Sequence, residues 1–183
     1  MPRYTIEAEA SILRVEVRTT LHPLVATGGD LQGFLDVGLA DGALRTPART
    51  PGRLEVVVDR LRTGNALIDR ETARRVDVRR HPRIVADLEQ IEAGARAGEY
   101  RLRGHVAFHG VTRPAEGVAV AKVVDDGGRL RLTGTQEFDV REFALEPPRL
   151  LVLRLHPEVR VSVDLSARRA ARDATTDRPR DGG

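Results

Sequence analysis

The sequence predicts an all-β protein, a closed antiparallel β-barrel of about eight strands with one short helix. Three observations carry that expectation. Apolar and charged residues alternate with a period of two along most of the chain, as half-buried strands require. Turn-forming clusters such as Gly28-Gly29 and Asp125-Asp126-Gly127-Gly128 separate the alternating runs. Only one stretch, residues 69–80, changes to a helical period.

The most telling run is residues 98–114, GEYRLRGHVAFHGVTRP, which reads as one strand. Tyr100, Leu102, Val106 and Phe108 share one face, and Arg101, Arg103, His105 and His109 the other. Gly104 falls on the apolar face, where a missing side chain suits a bend or a close backbone approach. The strand ends in Gly110, Val111, Thr112, Arg113 and Pro114, where a permissive residue and then a φ-locked one reverse the chain.

The other elements follow in order. Residues 4–21 read as a strand pair or one long bent strand, with Leu13, Val15 and Val17 alternating against Arg14, Glu16 and Arg18. Residues 27–30 form a turn. Residues 31–39 give a strand with Leu31, Gly33, Leu35, Val37 and Leu39 in phase and Phe34 facing out. Residues 41–52 have prolines, glycines and threonines without a period and read as a loop. Residues 54–61 form the next strand, with Leu54, Val56 and Val58 inside. The helix at 69–80 takes Asp69 as its cap, and His81-Pro82 ends it. Residues 83–91 resume an extended pattern through Ile84, Ala86 and Leu88.

Residues 116–124 and 129–140 form a hairpin around the Asp125–Gly127 turn and Gly128. Leu130, Leu132, Phe138 and Val140 share one phase and Phe143 and Leu145 the other, so a bulge is expected near Arg141. An apolar run at 150–155 and a strand at 158–165, with Val159, Val161, Val163 and Leu165 in phase, close the barrel. The expected organisation is one barrel domain, residues 1–165, and a disordered Arg-rich tail, residues 166–183.

Composition narrows the function. The chain has no cysteine, which excludes disulfides, thiolate metal sites and thiol nucleophiles. Aromatics make up only 3 %, so the interior is built from Val, Leu, Ile and Ala. No apolar run has the length of a signal peptide or a membrane span, which leads to an expectation of cytoplasmic residence and no transmembrane segment. The pI near 10.1 reflects arginines that keep their protons, because the net charge is only +3.

Several positions together resemble the YceI-like lipid-binding family. Residues 98–114 are similar to its hallmark strand, G-x-L-T-x-x-G-V-T-K/R-P. Tyr4, Thr5, Ile6 and Ser11 resemble its opening strand, and Leu31-Gln32-Gly33 its V-x-G segment. Thr63-Gly64-Asn65 with Asp69 resembles the approach to its helix, and His81, Pro82 and Ile84 its Y-P-x-I. Arg141-Glu142-Phe143-Ala144-Leu145 resembles R-x-D-F-G-L, and Glu158-Val159 the final strand. The likeness covers residues 4–165. Departures are Ala10 before Ser11, Ile68 for an arginine, Val76-Asp77-Val78 for D-F, and Ala144 for a glycine. The resemblance implies a lipocalin-like barrel that sequesters or carries a polyisoprenoid or similar amphipathic lipid, without catalysis and without a cofactor. It leaves homodimerisation open.

The candidate lining is the inward set Leu13, Val15, Val17, Leu35, Val56, Val58, Tyr100, Leu102, Val106, Phe108, Phe138, Phe143, Val161 and Val163. These residues line a tunnel or pack against one another as a solid plug. Arg141 is the polar candidate at the rim, where it meets a ligand head group or pairs with Glu142 or Glu137. His105 and His109 stand roughly 13 Å apart along a strand and cannot share a metal ion. The other histidines each precede a proline, and no metal-ligand spacing accompanies them. Ser11 has no general base nearby in sequence, and there is no nucleophile elbow. Arginines 14, 18, 101, 103, 129, 131 and 160 fall on the outer face, where solvation is the default. The alternative to a lipid carrier is a packed barrel acting as a protein-interaction module or a weak nucleic-acid binder. The scarcity of stacking aromatics argues against nucleic acid as a partner.

Overall fold

A computed structural model of the chain describes residues 1–147, 149–150 and 153–171. The alternating segments pair with their sequence neighbours. β1 (Arg3–Ile6) and β2 (Ile12–Thr19) form one bent strand, broken by a 3-10 turn at Ala8–Ala10. β3 (Leu24–Gly28) and β4 (Gln32–Asp36) return beside it. β5 (Gly52–Val57) continues through a second 3-10 turn, Val58–Arg60, into Leu61–Arg62. The Val58–Arg60 turn lies beside the break between β3 and β4, Gly29 N–H donating to Arg60 O at 3.3 Å and Val57 N–H to Gly29 O at 2.6 Å.

The helix α1 (Ala66–Val76) then leads to β6 (Arg83–Ala93), β7 (Glu99–Phe108), β8 (Val111–Val124), β9 (Arg129–Asp139) and β10 (Leu153–Arg169). Neighbours are antiparallel throughout. β10 pairs with β1 through Tyr4↔Arg169 and Ile6↔Ala167 and with β2 through Leu13↔Val163, which closes an eight-strand barrel. The expected all-β closed barrel with one helix is therefore what the chain forms.

Several boundaries differ from the sequence reading, each for a local reason. The helix starts at Ala66, because Asn65 is the cap: its Oδ1 accepts from Leu67 N at 3.0 Å and Ile68 N at 3.3 Å. Asp69 braces the approach instead, accepting from Thr63 N and Thr63 Oγ1. The helix ends at Asp77, which takes the left-handed conformation. The long run read as one strand is two, since His109 (φ 51) and Gly110 (φ 76) make a two-residue hairpin turn before Pro114 is reached. The loop at 41–52 contains half of a small hairpin, Leu39–Ala40 against Ala43–Leu44. No bulge is needed at Arg141: Val140–Phe143 form a 3-10 turn that changes the phase. The bulge lies in β6 instead, where pairing slips between Leu88 and Gln90 opposite Arg103 and Gly104. Ser166–Arg169, assigned to the tail by sequence, are the end of β10, and Ser166 and Ala167 are buried. Within the apolar run at 150–155, residues 151 and 152 lie outside the described residues, as do 172–183 of the tail.

One end of the barrel is packed. Tyr4, Leu35, Val37, Leu44, Ile91, Tyr100, Leu130 and Ala167 form a buried cluster there. Its two phenols are satisfied, Tyr4 Oη donating to Gly127 O at 2.8 Å and Tyr100 Oη accepting from Leu44 N at 2.9 Å. The other end carries α1, the β7–β8 turn and the Val140–Phe143 turn.

Candidate ligand cavity

Register fixes which residues face in. Cross-strand partners share a face, so Leu102↔Gly117, Gly104↔Ala115 and Tyr100↔Ala119 carry the inward side of β7 onto β8. From there Ala119↔Gly134 and Ala121↔Leu132 carry it onto β9. The inward row of β8 is thus Ala115, Gly117, Ala119 and Ala121, while the larger Val118 and Val120 point outward, 48 % and 39 % exposed. This reverses the usual placement of bulk, and it leaves space inside the barrel.

That space is a cavity of about 460 Å³. The floor is Leu35, Leu44, Ile91 and Tyr100; the upper wall is Val58, Leu61, Phe108, Phe138, Val140, Phe143 and Leu145; α1 contributes Thr72 and Val76. Of the sequence-predicted lining, Leu13, Val15, Leu35, Val56, Val58, Tyr100, Leu102, Val106, Phe108, Phe138, Phe143, Val161 and Val163 all border it. Val17 does not. It pairs with Val159 near the end of β2, beyond the part of that strand that reaches the cavity.

Arg141 also stands apart. Its guanidinium is held by Asp139 in a bidentate pair, with Nη2 2.6 Å from Oδ2, and the Arg141 partner holds the Asp139 carboxyl below its ordinary range. The expected partners Glu142 and Glu137 are not the ones it takes; Glu137 pairs with Arg160. The candidate lining left out the small residues Ala115, Gly117, Ala119, Ala121 and Gly134, which together with Ala86 and Gly104 make the hollow. The two-residue turn at His109-Gly110 is the signal that fixes their inward phase.

Gly104 has the close approach expected of it: a Cβ there would lie 2.0 Å from Asp87 O, at the β6 bulge. His105 points outward to Glu89, Nδ1 to Oε1 2.9 Å, and His109 instead meets His81, ring centroids 4.4 Å apart. Among the described residues no group of three or more His, Cys, Asp or Glu is placed to hold a metal ion. Ser11 Oγ accepts from Ser166 N at 2.9 Å and serves the barrel closure. Among the described residues no helix is long and apolar enough to cross a membrane. Several outer arginines lie in ion pairs, Arg131 with Asp164, Arg160 with Glu137, Arg18 with Glu158 and Arg129 with Glu7.

The model of the YceI-like domain matches residues 4–167 of this sequence. The chain belongs to the YceI-like family. Solved structures of the same fold include BcnA of Burkholderia cenocepacia, at 13 % identity and TM-score 0.71, covering 88 % of this chain and 98 % of that one. A polyisoprenoid binding domain from Saccharophagus degradans, implicated in plant cell wall breakdown, matches at 14 % identity and TM-score 0.71, with 91 % and 98 % covered. The YceI protein of Campylobacter jejuni matches at 10 % identity and TM-score 0.61, with 77 % and 82 % covered. No curated protein matches the sequence significantly.

Within this YceI-like barrel one departure from the family pattern and one match to it have physical consequences. Ala144 stands where the family has glycine and holds φ 54, a left-handed conformation that crowds its Cβ. The T-G-N sequence before the helix supplies both the cap, Asn65, and the brace between Thr63 and Asp69.

Proposed function

We propose that this protein is a non-catalytic carrier that sequesters an isoprenoid or similar amphipathic lipid inside its barrel. The observation that carries the reading is the hollow of about 460 Å³ walled by aliphatic and small side chains. Such a wall suits a hydrocarbon chain. At about the volume of a water molecule per carbon, roughly 30 Å³, the hollow takes a chain of about fifteen carbons. Each methylene removed from water contributes about 0.8 kcal/mol, so a chain of that length binds without a specific polar contact. The Saccharophagus degradans domain of the same fold, described as polyisoprenoid binding, supports the same reading.

The competing reading, a solid barrel used as an interaction module, needs the inward residues to fill the interior, and the small residues of β8 leave it unfilled. Cytoplasmic residence remains part of the proposal, to be checked by fractionation. The deciding experiment is native mass spectrometry of the purified protein, with solvent extraction of what co-purifies. A bound lipid of one dominant chain length is expected. Protein that emerges free of lipid and takes up no long-chain compound on addition would end the carrier reading.

A further inference from the structure

The end of the barrel away from the packed floor has a surface chemistry of its own. α1 lies over it with Thr72 and Val76, one turn apart, bordering the cavity. The other face of the helix is exposed and carries Leu67, Arg70 and Arg74, spaced three and four apart. Arg75 flanks that face, and Arg79 and Arg80 follow in the turn after the helix. Residues 66–80 thus hold five exposed arginines against three carboxylates, Asp69, Glu71 and Asp77. A surplus of two positive charges stands on this one segment, in a chain whose net charge is +3. Glu71 pairs with Arg74 and Arg75, and Asp69 is occupied by Thr63. Glu142 and Glu146, the carboxylates that follow β9, lie on the far side of the ring.

Two leucines project from the same end. Leu67 is 53 % exposed, and Leu21, at the tip of the turn between β2 and β3, is 71 % exposed. That turn is held in shape by Thr19, whose Oγ1 accepts from Leu21 N and His22 N, each at 3.2 Å, and donates to His22 O at 2.6 Å. The ladder of β3 brings the two leucines to one sector of the rim. β3 meets β2 up to Val17↔Leu24 and meets Leu61–Arg62 at Thr27↔Arg62, so the chain leaving Arg62 for α1 runs toward the end of β3 where the Leu21 turn stands. A single exposed leucine is ordinary. Two of them beside a run of exposed arginines, over an apolar hollow, make a basic amphipathic face of the kind that lies on a membrane surface.

We propose that the outer side of α1, together with the Leu21 turn, docks on an anionic lipid bilayer and sets the α1 end of the cavity against the leaflet. The guanidinium groups meet lipid phosphates, and the leucines enter the boundary of the acyl chains. A nucleic acid would use the arginines alone and leave the leucines in water. The assignment takes its purpose from the carrier reading above: each methylene kept out of water between leaflet and hollow lowers the barrier to transfer.

The test is co-sedimentation of the full chain with sucrose-loaded vesicles of phosphatidylcholine, alone or with about 30 % phosphatidylglycerol. At low salt the wild type is expected to bind the anionic vesicles at least about tenfold tighter than the neutral ones, and to be released as salt rises. With Arg70→Gln, Arg79→Gln and Arg80→Gln combined, affinity for the anionic vesicles is expected to fall about hundredfold, at roughly fivefold for each arginine. Leu21→Ser with Leu67→Ser is expected to lose about tenfold and to keep the salt dependence. Arg14→Gln, Arg45→Gln and Arg101→Gln combined remove the same charge from the barrel wall and the packed end, and are expected to change binding by less than about threefold. All these side chains are exposed, and circular dichroism checks the fold of each variant. Absence of wild-type binding to anionic vesicles, an equal loss in the barrel-wall variant, unchanged binding of the leucine variant, or binding of a single-stranded RNA homopolymer in place of vesicles overturns the docking assignment. Vesicle binding is read whether or not lipid co-purifies. The docking face therefore fails alone when protein that carries lipid ignores vesicles, and the carrier reading fails alone when protein that binds vesicles takes up no lipid.

Discussion

The α-carbon of Gly104 lies against the carbonyl of Asp87, so closely that a methyl group on it would stand 2.0 Å from that oxygen. The contact is backbone to backbone and sits beside the β6 bulge, where neither partner can swing away. Gly104→Ala is expected to destabilise the barrel by about 3 kcal/mol or more, through forced displacement of β6. The midpoint of urea unfolding measures it, with Gly117→Ala as the comparison. At Gly117 a Cβ meets only the end of the Gln136 side chain, at 3.2 Å, and the cost is expected to stay below about 1 kcal/mol.

Gly117 also offers a way to fill the hollow. Its side-chain position opens into the cavity between Leu102 and Gln136, so the ring of Gly117→Phe is expected to occupy the space a lipid chain needs. Circular dichroism should retain the strand signal, while the lipid recovered by extraction drops at least about tenfold, the loss expected when several methylenes are no longer buried. A variant that still co-purifies with a full complement of lipid would place the chain elsewhere.

Ala144 takes φ 54, which a residue with a Cβ adopts at a cost of roughly 1 kcal/mol. Ala144→Gly is therefore expected to raise stability by up to about 1 kcal/mol, less the entropy that glycine adds to the unfolded chain. Thermal unfolding followed by calorimetry reads the change; a lower melting temperature would show that the turn gains nothing from the freedom.

Glu7 ties the barrel closure together. The Ser166 hydroxyl, then Arg168 and Arg129, donate to its carboxylate and outweigh its burial, holding its pKa down to about 2 from 4.5. Arg129 lies on β9 and Ser166 and Arg168 on β10, so one carboxylate links three parts of the ring. A depressed folded-state value means this stabilisation is complete above pH 4.5 and is lost as pH falls from 4.5 toward about 2, while the unfolded chain takes up a proton that the folded one refuses. Asp36, Asp87, Asp139 and Asp164, held down by their arginine hydrogen bonds, act in the same direction. Urea midpoints across that acid range should decline in the wild type and decline less steeply in Glu7→Gln, which starts from a lower value at neutral pH. Parallel curves for the two proteins would remove Glu7 from the linkage.

Much of the architecture was legible because a strand exposes its two faces to different surroundings. Leu13, Val15, Leu102, Val106, Val161 and Val163 show their inward phase in the residue pattern alone, and Gly104 announces a close approach by interrupting that phase. Element ends were less legible. Asn65 rather than Asp69 caps the helix because the choice depends on which side chain reaches the first free N–H groups, and that geometry is set by the preceding strand. The turn at His109-Gly110 hid inside an unbroken alternation, since a two-residue hairpin preserves the period as it reverses the chain.

The sequence by itself determined the fold class, the antiparallel order and the apolar character of the interior, since these follow from a period of two and short connections. Only the tertiary structure decided that the interior is hollow and that β8 and β9 part beyond the Ala119–Gly134 pair. Those outcomes depend on register between strands: sliding one pairing by a residue exchanges Val118 for Gly117 on the inner wall and turns a cavity into a core.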